Sequence, residues 1–186
     1  VGGVIPNYVR EDKIALLVDA GMNRVRMGIQ SGSDNILEFY KRPTKLHRIK
    51  EATEILNKFD KYMIPPAYDI ILENPVEKTE DTRATVDMIY EMPRPFTLNL
   101  YALRVIPNTL MAKDIEERGL KVPPIDKNYY TDYHRTIGNM LVFALCFWKI
   151  PKWLYNFLRK KVYPVHEKQR SFPVLFWFIR MIYLVK

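Results

Sequence analysis

The sequence predicts an α/β fold in which parallel strands alternate with helices. Three observations carry this reading. Short apolar runs recur at 24–29, 67–72 and 96–105. A helix-length amphipathic segment follows each of them, and connections of that length predict a parallel sheet with right-handed crossovers. After Gly119 the alternation stops and the chain becomes aromatic, basic and helix-leaning.

Taken in order, residues 1–5 read as the tail of a strand, and Pro6-Asn7 turns the chain. Segment 11–20 carries Ile14, Leu16, Leu17 and Ala20 at helical spacing, with Gly21 as its C-terminal cap. The strand at 24–29 follows. Ser33 and Asp34 offer oxygens to start a helix through Tyr40, which Pro43 ends. From Thr44 a second helix aligns Leu46, Ile49, Ala52, Ile55, Leu56 and Phe59 on one face. After the strand at 67–72, Asn74-Pro75 turns the chain. Thr79 and Thr82 are expected to cap a helix that carries Val86, Ile89 and Met92 inward and stops at Pro93. The run 96–105 alternates at Phe96, Leu98, Leu100 and Ala102. Asn108 and Thr109 then open a helix that Gly119 stops. This gives about three and a half strand–helix repeats. Lys121-Val122-Pro123-Pro124 reads as a linker between residues 1–120 and an extension at 121–186.

The chain has 186 residues, enough for one domain with an appendage, and 48% of them are hydrophobic. A net charge of +8 and a pI near 9.5 point to an anionic neighbour or a basic solvated surface. The one cysteine, Cys146, excludes an internal disulfide and a thiolate-only metal cluster built from this chain. A reducing, cytoplasmic compartment fits. Val1 opens the chain without Met, basic leader or cleavage site, so no signal peptide is expected and a longer parent protein is. The apolar runs at 140–148 and 172–185 fall short of the ~20 residues that a membrane crossing needs.

The chemistry-bearing segment is Gly28-Ile29-Gln30-Ser31-Gly32-Ser33, a strand that ends in polar and small residues. Arg42 follows twelve positions after Gln30, and Asp69 is the single acid on its strand. Ligand chemistry in βα-repeat proteins sits at strand ends. An amide, a guanidinium and a carboxylate there suit a zwitterionic, ribose-bearing ligand. Gly28 and Gly32 would let backbone approach it. The plainer readings are that Gln30, Ser31 and Ser33 cap the next helix, that Arg42 is a surface arginine and that Asp69 is simply paired. His47, His134 and His166 lack ligand spacing, and Cys146 reads as a buried small hydrophobe.

These motifs resemble the radical S-adenosylmethionine superfamily, in its cobalamin-binding-domain type and its methylthiotransferase-like barrels. Four ordered pieces of residues 1–120 carry the resemblance. Gly28-Ile29-Gln30-Ser31-Gly32-Ser33, with Ile36-Leu37 and Arg42, is similar to the family's fourth strand and following helix. Asp69-Ile70-Ile71-Leu72-Glu73-Asn74-Pro75-Val76-Glu77 with Glu80-Asp81 is similar to the fifth, and Leu98-Asn99-Leu100-Tyr101 with Pro107-Asn108-Thr109 to the sixth. The resemblance implies the C-terminal half of a partial (β/α)6 TIM-like barrel, followed by the helical extension. It implies an enzyme using S-adenosylmethionine and a [4Fe–4S] cluster for radical or methyl-transfer chemistry, with cobalamin as a further cofactor on a domain outside this chain. Gln30, Ser31, Ser33, Arg42 and Asp69 are then the cofactor-binding residues; no catalytic residue is assigned.

The chain departs from the family pattern in three places. The Cys-x3-Cys-x2-Cys motif is absent, so the cluster ligands lie outside this chain and no metal ligand is assigned here. This piece alone is expected to be inactive. Asn108 stands where Gly is usual, which demands an Asn-tolerant positive φ. Glu73 and Val76 stand where relatives commonly have Gly.

The expected partners are the N-terminal half of the same enzyme, a small-molecule or lipid-like substrate, and a membrane surface met through residues 129–186. Nucleic acid is the less favoured partner. The resulting location is cytoplasmic, at the inner face of the membrane. The rival readings are a tRNA or protein methylthiotransferase half, which would carry a small C-terminal β-barrel, and a non-catalytic basic interaction module.

Overall fold

The computed structural model describes residues 3–120, 133–167 and 172–185. The proposed linker at 121–124 and the first residues of the extension lie outside these, as do Val1 and Gly2. The centre is a parallel sheet of β1 (Arg26–Gln30), β2 (Ala67–Leu72) and β3 (Thr97–Ala102), in that order. Val4 forms a parallel bridge to Met27, so the sheet continues past β1 by one residue. This is the α/β architecture that the alternation predicts.

Helices α1 (Glu11–Asp19), α2 (Asp34–Phe39), α3 (Leu46–Asn57), α4 (Thr79–Glu91) and α5 (Leu110–Glu117) fill the connections. Their ends follow local chemistry. The Ser33 hydroxyl accepts from the Ile36 N–H, and the Thr109 hydroxyl from the Ala112 N–H. Gly21 closes α1 by donating to the Val18 carbonyl while Met22 donates to Leu17, the paired bonds of a Schellman cap.

Two expectations are corrected. The cap of α4 is Lys78, not Thr79 or Thr82: the Asp81 carboxylate reaches back to the Lys78 N–H at 2.9 Å. In α1 only Ile14 is buried, while Leu16 and Leu17 face solvent.

One face of the sheet is dry. Met27, Ile29, Tyr68, Ile70, Leu72, Leu98 and Leu100 are buried beneath the helices. The opposite face carries Arg26, Gly28, Asp69, Ile71, Asn99 and Tyr101, all partly or wholly exposed. Parallel sheets ordinarily bury both faces, so a half-open polar face is the inner wall of a barrel seen from inside. At its upper end Ile71 packs into a second small core of Leu103, Val105, Ala112 and Ile115, where α5 meets Phe39 and Tyr40.

The extension supplies α6 (Ile137–Leu145), α7 (Lys152–Arg159) and α8 (Pro173–Val185). Nearly every side chain of α6 is buried, and Leu141, Val142, Phe143 and Leu145 belong to the same core as the strands. Phe143 takes Tyr133 and Phe176 edge-on. Helix α7 is held to α4: Arg159 grips Asp87 by two 2.5 Å bonds, Tyr155 donates to the same carboxylate, and Tyr155 stacks on Tyr90 at 3.8 Å. The extension also covers the outer edge of β3. Tyr133 and Tyr183 donate their hydroxyls to the carbonyls of Leu100 (2.5 Å) and Leu98 (3.1 Å), which point away from β2. No helix among the described residues is long and apolar enough to cross a membrane.

Candidate functional site at the open face and strand ends

Parallel register places Gly28, Asp69 and Asn99 side by side. Asp69 accepts both from Arg26 Nε, at 2.9 Å to each carboxylate oxygen, and from Asn99 Nδ2 at 2.8 Å. Arg26 Nη2 donates onward to the Tyr101 hydroxyl at 2.7 Å. The bond to Asp69 raises the Arg26 pKa further, so this guanidinium stays charged. The network spans all three strands and is open to solvent on the guanidinium side. Sequence reasoning singled out Asp69 but missed Arg26, Asn99 and Tyr101. Their signal was parity: each sits at a position that strand alternation sends to the same face.

Gln30 ends β1 at a register break, with φ of 76°. A glutamine in this left-handed region is uncommon and marks a constrained site. Its side chain folds back along the strand, so that a Cβ at Gly28 would meet Gln30 Nε2 at 2.7 Å. Gln30 is only 9% exposed, yet its amide makes no hydrogen bond to any described residue.

Ser31 and Ser33 point elsewhere. Ser31 lies 3.1 Å from the Thr85 hydroxyl and accepts from the Ser33 N–H. Ser33 donates to Asp81 at 2.5 Å while capping α2. Both are buried against α4, which takes up the hydroxyl contacts expected toward a ligand. Gly32 is needed for that same contact, because a Cβ there would stand 2.5 Å from the Thr85 Cα. The room made by Gly28 and Gly32 is therefore filled from within the chain.

Arg42 follows α2 in a Schellman turn. Lys41 takes φ of 53°, and the Arg42 N–H donates to the Leu37 carbonyl. The backbone is thus fixed, while the guanidinium is exposed and has no partner among the described residues. A groove of about 790 Å³ is lined by Asn35, Tyr40 and Lys41 from one side, Met111, Asp114 and Arg118 from the other, and Val76. These residues follow β1, β3 and β2 respectively, so the groove belongs to the carboxyl side of the sheet. Its size lies within the roughly 300–1,000 Å³ of small-molecule sites.

Beyond β2 the geometry is less expected. Glu73 has φ of 63° and Asn108 has φ of 65°, both in the left-handed region that favours glycine. The Glu73 carboxylate is buried and turned toward the extension. It accepts from the His134 N–H (2.6 Å), from His134 Nδ1 (3.2 Å) and from Asn139 Nδ2 (2.7 Å). This contact raises the His134 pKa. Nearby Glu77 faces a cavity of about 20 Å³, with Thr82, Thr136 and Asn139 in its wall. That volume admits one water and no cofactor. Burial pushes the Glu77 carboxyl up to about 8; the Thr82 hydroxyl bond opposes this, and the charges of Asp81 and Glu73 reinforce it. Among the described residues no cluster of His, Cys, Asp or Glu could hold a metal, and Cys146 is buried.

No protein-family model and no curated protein matches the chain. Solved structures share its architecture. The coproporphyrinogen III oxidase HemN of Escherichia coli, a radical SAM enzyme, is 20% identical and superposes with a TM-score of 0.54, over 65% of this chain and 27% of its own. The archaeal Elp3 of Methanocaldococcus infernus is 21% identical with a TM-score of 0.54, over 97% of this chain and 40% of its own. The chain shares with these structures the α/β fold of a partial parallel barrel. At these identities the likeness is one of fold, and the chain spans about a quarter to two-fifths of those proteins.

Proposed function

We propose that this chain forms the cofactor-binding side of a radical S-adenosylmethionine barrel, whose remaining strands come from an N-terminal half of the same enzyme. The observation that carries the reading is Gln30. Its residue is held at positive φ at the strand end, and its amide, unbonded within the described residues and open to solvent, is free to meet a ligand that the chain does not itself provide. Arg42 adds an exposed guanidinium that can fork onto a carboxylate. Asp69 acts through Arg26 and Asn99, keeping the open face polar and rigid. S-adenosylmethionine would supply a sulfonium for reductive cleavage; the residues here bind and orient it. Ser31 and Ser33 support the turn that carries Gln30.

The chain's own residues do not fit a [4Fe–4S] cluster, since Cys146 is the one cysteine of the sequence and is buried. The cluster belongs to the rest of the barrel in this proposal, and cobalamin to a further domain. The substrate class is a small or lipid-like molecule, for which the α2–α5 groove offers room. The helical extension weighs against the methylthiotransferase reading, which called for a terminal β-barrel; no strand follows Ala102 among the described residues.

The test is S-adenosylmethionine binding by equilibrium dialysis, in the protein that carries the whole barrel. Gln30→Ala, Arg42→Ala and Asp69→Asn are each expected to weaken binding about tenfold or more, as loss of a charge-assisted or buried hydrogen bond does, with the circular dichroism spectrum retained. Unchanged affinity in all three would sink the assignment.

A further inference from the structure

The extension holds a surface that the cofactor reading leaves unused. Residues 129–186 contain ten Lys or Arg against two Asp or Glu, whereas residues 1–128 contain nineteen of each. The whole formal charge of +8 therefore sits on the extension.

The exposed side of that extension is apolar. Helix α8 buries only Phe176 and Ile179. Val174, Leu175, Trp177, Phe178, Leu184 and Val185 all stand exposed. A thirteen-residue helix of this kind is about 20 Å long, too short to span a bilayer and suited to lying along one. Helix α7 repeats the arrangement. Tyr155 and Arg159 fasten one side to α4, and the other presents Trp153 (72% exposed) and Phe157. Lys160 and Lys161 follow directly, with Lys161 Nζ 4.1 Å from the centroid of the Phe157 ring. Aromatic side chains rimmed by lysines match an interface at which the rings enter the headgroup layer and the ammonium groups meet lipid phosphates.

We propose that α7 and α8 dock this protein on an anionic lipid bilayer. The apolar area alone would suit any hydrophobic partner. The confinement of all the net positive charge to the same segment is what selects an anionic surface. The proposal is independent of cofactor binding.

The chain carries its own reporter. Its three tryptophans are Trp148, Trp153 and Trp177, all in the extension and 48%, 72% and 63% exposed. The full chain is mixed with vesicles of phosphatidylcholine containing phosphatidylglycerol, and with phosphatidylcholine alone. Co-sedimentation and a blue shift of tryptophan emission are expected with the anionic vesicles, at least tenfold weaker with neutral ones, and reduced by 0.5 M salt. Trp177→Glu/Phe178→Glu and Lys160→Glu/Lys161→Glu are each expected to lower the affinity tenfold or more. Leu16→Glu, on an exposed apolar site of α1, is expected to leave it unchanged. The proposal is overturned by absence of binding, by equal binding to neutral vesicles, or by a Leu16→Glu effect as large as that of the α8 pair. It is likewise overturned if the chain alone forms a stable dimer that shields the tryptophans, because a second copy then occupies the face.

Discussion

On the open face of the sheet, Arg26, Asp69, Asn99 and Tyr101 satisfy one another across three strands; on α8, a comparable stretch of exposed surface holds hydrocarbon and aromatic rings with Arg180 as its one charge. The first surface is stable when wet, because its hydrogen bonds are made internally and water can complete them. It needs no cover and can exchange water for a polar ligand at small cost. The second forfeits roughly 25 cal/mol for every Å² of apolar area left in water. It gains by being covered, whatever the cover is. A single chain thus leaves two faces open for opposite reasons, and only the apolar one is driven to associate.

The inner side of the extension sharpens this contrast, because it is as dry as any core. Phe143→Ala is expected to cost about 3–5 kcal/mol, the range for truncating a buried aromatic. Urea unfolding followed by tryptophan emission and by far-ultraviolet circular dichroism should give one coincident transition for the parent chain and for the variant. Two separated transitions would mean that the extension does not share the barrel's core, and the comparison would have to be redrawn between two independent bodies.

A smaller effect distinguishes Glu77 from Asp69. Asp69 keeps a guanidinium beside it, whereas Glu77 is buried with no cation paired to it among the described residues, and its carboxyl is pushed from the ordinary 4.5 up to about 8. Between these values the folded chain keeps a proton that the unfolded chain has released. Stability therefore falls as pH rises through this window, by up to about 1.4 kcal/mol per unit. Glu77→Gln should abolish that part of the slope and make the chain more stable than the parent at pH 8, but not at pH 4.5. Urea titrations at several pH values read it directly; a slope unaltered by the substitution would return Glu77 to the ordinary carboxylates.

The smallest effect belongs to His134. Glu73 raises its pKa, so the imidazolium contribution is present below about pH 6.5 and is lost as pH rises through the folded value. The ring is two-thirds exposed and the His134 N–H keeps its bond to Glu73 without it. His134→Ala should therefore cost only a few tenths of a kcal/mol at pH 5.5 and nothing at pH 8. A loss that persists at pH 8 would mean that the ring acts by packing.

How much of this was legible in the sequence depended on how local the cause was. Strand β2 is read to the residue, because Pro65-Pro66 and Asn74-Pro75 bracket it. Strand β3 is shorter than its apolar run, because Leu103 and Val105 serve the second core instead of the sheet. The start of α4 was misread because a carboxylate three residues inside the helix outcompetes two nearby hydroxyls for the capping role. Asp69 was recognisable as a residue needing a partner, but Arg26 and Asn99 lie 43 and 30 positions away and only the register joins them. Ser31 and Ser33 carry the right atoms for a ligand, and nothing local tells that Thr85 and Asp81 arrive first. For Glu73 neither the positive φ nor the burial beneath His134 and Asn139 was read from the sequence, because both depend on how the extension returns to the end of β2.

The two tyrosine hydroxyls on β3 give the sheet a direction of growth. With the Leu98 and Leu100 carbonyls already engaged, a newcomer strand finds that margin sealed, and edge-to-edge pairing between copies is blocked there. The opposite margin is engaged by Val4, which donates to the Arg26 carbonyl and accepts from the Gly28 N–H. Among the described residues, a further strand extends the sheet from the Val4 side.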